Sequence, residues 1–195
     1  MNIKTTILLS IFAAALSACA SISHREPPRN LDDACAIARD RPDIVRAMGK
    51  TEQNWGVPVA TQMALIYQES KFISDARPPK KYRAGLIPAG RVSSAYGYSQ
   101  ALDGTWQDYQ KAEGGYGARR NNINHATDFI GWYFAGTQRS LGIARNDTYR
   151  QYLAYHEGRG GYRRGSYKSK PWLMRVSKAT AARAGIYHSQ LMRCR

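Results

Sequence analysis

Residues 59–72 leave this chain the fewest options. Pro58 opens the stretch, and Val59, Met63 and Ile66 form one apolar stripe with Ala60, Ala64 and Tyr67 beside it, at helical spacing. A helix that is apolar on nearly every side must lie inside a body of other elements, so the domain is expected to be built around it. Its only acid, Glu69, arrives near the C-terminal end, in Gln68-Glu69-Ser70-Lys71-Phe72. An unpaired carboxylate in such surroundings is several kcal/mol unfavourable or takes up a proton. A carboxyl group still protonated near neutral pH can serve as a general acid. The blander reading is a helix-terminal glutamate, solvated or paired with Lys71.

The rest of the pattern is also helical. Asn30 can cap a helix with Leu31, Ala34, Ile37 and Ala38 on its apolar side, and Pro42 opens a second one carrying Ile44, Val45 and Met48 and ending at Gly56. Residues 74–92 break the periodicity with Pro78-Pro79, Lys80-Lys81, Gly85, Pro88 and Gly90. A long ordered loop is expected there, capping one end of a groove. Residues 93–100 read as a short β segment. Asp103 or Thr105 caps a helix through Tyr109, residues 113–117 form a turn, and 121–141 is the longest helical pattern. Residues 148–155 make another helix, stopped by Glu157-Gly158-Arg159-Gly160-Gly161, and Pro171 opens a terminal helix with Trp172, Val176, Ala179 and Ile186. The fold class is therefore mainly α, a single domain with at most a small β hairpin.

At the N-terminus, Lys4 precedes a short apolar core, residues 7–16, of signal-peptide length. Leu16-Ser17-Ala18-Cys19 resembles a bacterial lipobox. That implies a lipoprotein signal peptide over residues 1–18, acylation of Cys19, and a lipidated tether over 19–29 containing Pro27-Pro28. The alternative is an uncleaved anchor, since no charge occurs between Thr5 and Ser23, a run marginal in length for a span. With Ala20 rather than aspartate after the cysteine, the expected location is the periplasmic face of an outer membrane. Removing residues 1–18 takes only Lys4 from the formal charge, so +15 becomes +14. Inside a cell that excess would point to nucleic acid. Outside it, the anionic partners at hand are stem-peptide carboxylates of a cell wall, acidic phospholipid headgroups and other wall polymers; the charge alone does not choose among these, and no nucleic acid is expected. Cys35 and Cys194 bracket the mature chain, and in an oxidising compartment the pair reads as a disulfide placing the first and last helices side by side. Two unrelated thiols are the alternative.

Three segments, in order, carry a resemblance: Glu69-Ser70 at the end of the buried helix, Gly97-Tyr98-Ser99-Gln100, and Ala154-Tyr155-His156-Glu157-Gly158. They resemble the signature segments of soluble-type lytic transglycosylases, enzymes with the goose-type lysozyme fold. With its cysteine pair and the loop at 162–167, the chain is similar to small lipoproteins of that group. The resemblance implies a lysozyme-like helical domain over residues 30–195, a monomer needing no cofactor. It would cleave the β-1,4 bond between MurNAc and GlcNAc in peptidoglycan glycan strands and leave 1,6-anhydro-MurNAc ends. Glu69 aligns with the sole catalytic acid/base, Tyr155 with the tyrosine whose hydroxyl points at it, and Ser70 with a supporting residue. Gln100 aligns with a sugar-contacting glutamine, and Gly97 would let backbone approach substrate closely. Tyr98-Ser99 stands where Leu-Met is usual, making that wall more polar. His156-Glu157 stands where Asn-Ala is usual, which brings a second carboxylate near the site. Tyr96 and Tyr98 are expected to line the cleft, with Trp106 and Trp132 in the core. Glu157 is expected to pair with Arg159 or Arg163.

Two other readings stay open on sequence. A hydrolytic muramidase on the same fold would use Glu157 or Asp75 to activate water. A non-catalytic peptidoglycan-binding lipoprotein would hold the wall through Arg159, Arg163, Arg164, Lys168 and Lys170. His24, His125, His156 and His188 lack metal-ligand spacing, so no metal is expected. Gly158-Arg159-Gly160-Gly161 follows a helix rather than a strand and lacks the context of a phosphate-binding loop.

Overall fold

The computed structural model describes residues 26–194. The expected signal peptide, the acylated Cys19, the alternative anchor and most of the tether lie outside the described residues. Helix α3 (Val59–Ser70) is buried at every residue from Ala60 to Ile66, as its apolar circumference requires. It lies against α2 (Pro42–Trp55) and α7 (Pro171–Leu191). Helix α6 (Thr148–Arg164) meets it through paired hydroxyls of Thr61 and Thr148, 3.0 Å apart. Gln62, a polar residue inside this apolar helix, donates to the carbonyls of Met48 and Val57 at 2.9 and 2.8 Å, tying α3 to α2 and its following turn.

Helix α5 (Ile123–Leu141) runs along α2 and α6. Beside it, α4 (Asp103–Tyr109) continues into a π-helical turn at 110–114, a little before the turn expected from sequence. Trp106, Tyr109, Phe129 and Trp132 interlock in successive ring contacts of 5.1 to 5.9 Å. Trp106 is buried, and Trp132 is half-buried at the edge of the cluster. The Asp128 carboxylate accepts from Trp55 Nε1 and the Tyr109 hydroxyl, both at 2.7 Å, and holds the cluster to α2.

Helix α1 (Ala34–Asp40) packs on α7 through the chain ends. Cys35 and Cys194 are joined in a disulfide, with Cα atoms 5.7 Å apart. Around it, Ala34 N–H donates to Gln190 Oε1 at 2.8 Å and Arg183 Nη1 to Asp32 at 2.8 Å. The first and last helices are thus neighbours, as the cysteine spacing suggested. The cap of α1 is Asp33, which accepts from Cys35 N–H at 2.8 Å, while Asn30 closes its own turn onto Asp32 N–H.

Two expectations shift. Residues 93–100 hold no strand, only a single bridge between Tyr96 and Ala101. The sheet lies instead inside 74–92, where β1 (Lys80–Arg83) pairs antiparallel with β2 (Ile87–Arg91). Ala84 at φ 48° and Gly85 at φ 75° turn the hairpin. Every residue of both strands is exposed, so no buried face existed to impress a two-residue period on the sequence. Helix α6 also runs past its expected stop. Gly158 takes φ 71°, ψ 156°, a conformation open only to glycine, and the chain re-enters helix until Gly165.

Candidate active site

Helix α3 ends because Lys71 and Phe72 both enter the left-handed region, at φ 53° and 62°. This abrupt end delivers Glu69 to a cleft of about 540 Å³, which Gln100, Phe129, Tyr133, Tyr155, His156 and Glu157 also line. Glu69 keeps a partial opening onto the cleft, but protein surrounds its carboxyl closely. Burial therefore drives its pKa up to about 7, against the opposing pull of the Tyr152 hydroxyl and of Lys71. Lys71 forms no ion pair with it: its ammonium sits 3.6 Å from the centre of the Tyr67 ring.

Tyr152 was not singled out by the sequence. It sits three residues before Tyr155 on α6, on the same face, is 4% exposed, and its hydroxyl hydrogen-bonds Glu69. Tyr155 plays a different part from the one expected. Its hydroxyl donates to the Ser99 carbonyl at 2.5 Å, and its ring stands edge-on to Tyr133 at 5.1 Å. Burial and the neighbouring Glu69 charge push its phenol well above the ordinary range, so it stays a neutral donor. Tyr155 thus ties the 97–100 segment to α6 beside Glu69, while Tyr152 makes the contact to the carboxyl.

The second motif is chiefly a scaffold for the cleft wall. Gly97 has φ 77°, and a Cβ there would run into the Arg120 backbone carbonyl, so this glycine serves packing rather than substrate approach. Tyr98 is not a cleft residue: it is 2% exposed, and Arg41 Nη2 reaches its hydroxyl at 3.4 Å. Ser99 is fully buried and contributes its carbonyl, not a polar wall. Tyr96 stands outside the Glu69 cleft, with the guanidinium of Arg77 4.0 Å and that of Arg120 5.4 Å from its ring centre, and lines a neighbouring groove. Gln100 does reach the cleft, held at φ 49° by Nε2 donation to the carbonyls of Ala76 and Gly97 at 2.9 and 2.8 Å. Ser70 is buried and bonds back to the Ile66 carbonyl at 3.2 Å, so it closes the helix end and touches no ligand space.

The third motif carries the second carboxylate. Glu157 does not pair with Arg159 or Arg163. Arg159 donates instead to the Tyr133 carbonyl and the Thr137 hydroxyl, and Arg163 to the Ser140 carbonyl. Lys170 Nζ approaches both Glu157 oxygens at 2.8 and 3.0 Å, Ser166 Oγ donates to one, and His156 Nδ1 lies 3.1 Å from the other. The side chain is only 4% exposed, yet polar groups replace the water it loses. Burial opposes its ionisation, but Lys170, Ser166 and His156 outweigh that and hold its pKa at about 2. Asp75 is exposed and does not line the cleft. Among the described residues no cluster of His, Cys, Asp and Glu has the geometry to hold a metal.

A buried acid poised near neutrality, a tyrosine bonded to it, and a second carboxylate fixed as an anion define an acid/base cleft in a lysozyme-like helical fold. Over residues 7–194 the chain matches the family described as Transglycosylase SLT domain, and it belongs to that family. The domain is accordingly one that acts on peptidoglycan. No curated protein matches the chain.

Proposed function

We propose that the protein is a lytic transglycosylase that breaks the MurNAc–GlcNAc β-1,4 bond and leaves a 1,6-anhydro-MurNAc end. The observation that carries this reading is the division of labour between two carboxyls. Glu69 is half-protonated near pH 7, whereas Glu157 is an anion locked by three partners. A hydrolase needs a second carboxylate able to serve as nucleophile or to activate water. With its pKa at about 2 and both oxygens engaged by Lys170, Ser166 and His156, Glu157 is a poor base for activating water near neutral pH, and Asp75 lies outside the cleft.

With one working acid, the substrate supplies what is missing. Glu69 protonates the bridging oxygen as the C1–O bond breaks, and the MurNAc N-acetyl group stabilises the positive charge that develops at C1. The Glu69 carboxylate then takes the proton from the C6 hydroxyl as that oxygen bonds to C1, which restores the acid without consuming water. Tyr152 favours the charged form needed for the second half, and burial favours the neutral form needed for the first. In this reading the mature chain begins at an acylated Cys19, sits on the periplasmic face of an outer membrane as a monomer, and carries its catalytic domain over residues 30–195. Mass spectrometry of fragments released from purified peptidoglycan tests the reaction. Anhydro-ended fragments absent with Glu69→Gln support it. Reducing-end fragments would make the enzyme a muramidase, and wall binding without release would make it a binding lipoprotein.

A further inference from the structure

The β1–β2 hairpin belongs to none of the machinery above. Residues 76–94 hold Arg77, Lys80, Lys81, Arg83 and Arg91 and no acid. Its tip and flanks present Leu86 at 85% exposure, Ile87 at 63%, Val92 at 56% and Tyr82 at 54%. Such a concentration of uncovered apolar surface on a projecting element marks an interaction site. The stem is braced: Arg77 lies 4.0 Å from the Tyr96 ring centre, and Arg91 Nη1 donates to the Pro78 carbonyl at 2.7 Å. Lys80, Lys81 and Arg83 make no ion pair among the described residues.

We infer that this hairpin docks on an anionic phospholipid surface. Cations on the strands match the phosphate layer, and the aliphatic tip fits the boundary just beneath it. A saccharide partner would answer the cations through its stem-peptide carboxylates, but the C–H faces of sugar rings pack best on flat aromatic side chains, and of the four exposed apolar residues only Tyr82 is aromatic, so the Leu86–Ile87 tip would stay largely uncovered. Pro78 and Ser93, at the two ends of the hairpin, line the Glu69 cleft. Docking would therefore hold the cleft mouth beside the bilayer and direct it to the wall layer nearest the membrane. The inference needs neither acylation of Cys19 nor the anhydro product.

The test uses the unacylated mature chain from Ala20, which keeps every described residue of the domain. Co-sedimentation compares vesicles of phosphatidylcholine alone with vesicles containing phosphatidylglycerol. Binding is expected only with the anionic lipid and should weaken with salt. Each cation near the surface contributes roughly five-fold, so Lys80→Gln, Lys81→Gln and Arg83→Gln together should weaken binding about a hundred-fold. Leu86→Ser with Ile87→Ser should weaken it as well, with thermal melts unchanged because these side chains are exposed. The matched control is Arg46→Gln, Arg175→Gln and Lys178→Gln, three exposed cations elsewhere. No binding to anionic vesicles, or an equal loss in the control, would overturn the inference. So would hairpin variants that lose pelleting with purified peptidoglycan while keeping vesicle binding, which would assign the hairpin to the wall.

Discussion

Replacing Glu69 with glutamine should make the protein inactive and, above neutral pH, more stable. Burial holds the folded-state pKa of Glu69 at about 7, against 4.5 in an unfolded chain. Between those values the folded protein retains a proton that the unfolded chain has lost, so this residue's contribution to stability falls as pH rises through that window and stays low above it. At about 1.4 kcal/mol per pH unit the shift is worth about 2 to 3.5 kcal/mol, the lower figure allowing for the side chain's partial opening onto the cleft. Glutamine fills the same space, does not titrate and can still accept from the Tyr152 hydroxyl. The variant should match the wild type below pH 4.5 and gain on it up to pH 7, reaching a difference in melting temperature of about 5 to 10 °C. Paired thermal or urea denaturation across pH reads this directly, because every other titrating group cancels in the difference. An offset that is flat with pH, or a glutamine variant less stable at high pH, would mean that Glu69 is not held as a strained neutral acid.

Tyr152→Phe removes a hydrogen bond to the Glu69 carboxylate, of a kind worth about 1.5 to 3 kcal/mol. The alkaline limb of the pH–activity profile should move up by about 1 to 2 units, and an unmoved limb would detach Tyr152 from the reaction. Glu157 is the opposite case to Glu69: its depressed pKa contributes stability that is present above pH 4.5 and lost as pH falls towards 2. Lys170→Met should flatten that acid limb in urea titrations, and a curve superimposable on the wild type would contradict the pairing. Reducing the Cys35–Cys194 bridge, with a sequence separation of 159 residues, should lower stability by up to about 5 kcal/mol and reduce the melting temperature. An unchanged melt would show the termini to be held by α1–α7 packing alone.

The apolar circumference of α3 made the buried helix legible, and with it the arrival of Glu69 at an abrupt end. The cysteine pair likewise announced that α1 and α7 are neighbours. What could not be read was which polar atom meets which. Tyr155 and Tyr152 share a face of α6, and only the packed geometry gives the carboxyl to one and the Ser99 carbonyl to the other. Tyr98 looked like a groove aromatic because its buried partner, Arg41, lies 57 residues away in sequence. Glu157 had arginines nearby in sequence, but the α6 kink at Gly158 and the return of the chain into α7 bring Lys170 to it instead. The hairpin escaped because strands with both faces in solvent carry no hydrophobic alternation.

In the proposed reaction the substrate's own C6 hydroxyl, not water, completes what Glu69 begins. Digestion of purified peptidoglycan in water enriched in heavy oxygen, followed by mass spectrometry of the new MurNAc ends, separates the two nucleophiles. Attack by the C6 hydroxyl should give ends that carry no heavy oxygen and are lighter by one water than the hydrolytic product. Incorporation of heavy oxygen at C1 would make water the nucleophile and contradict it.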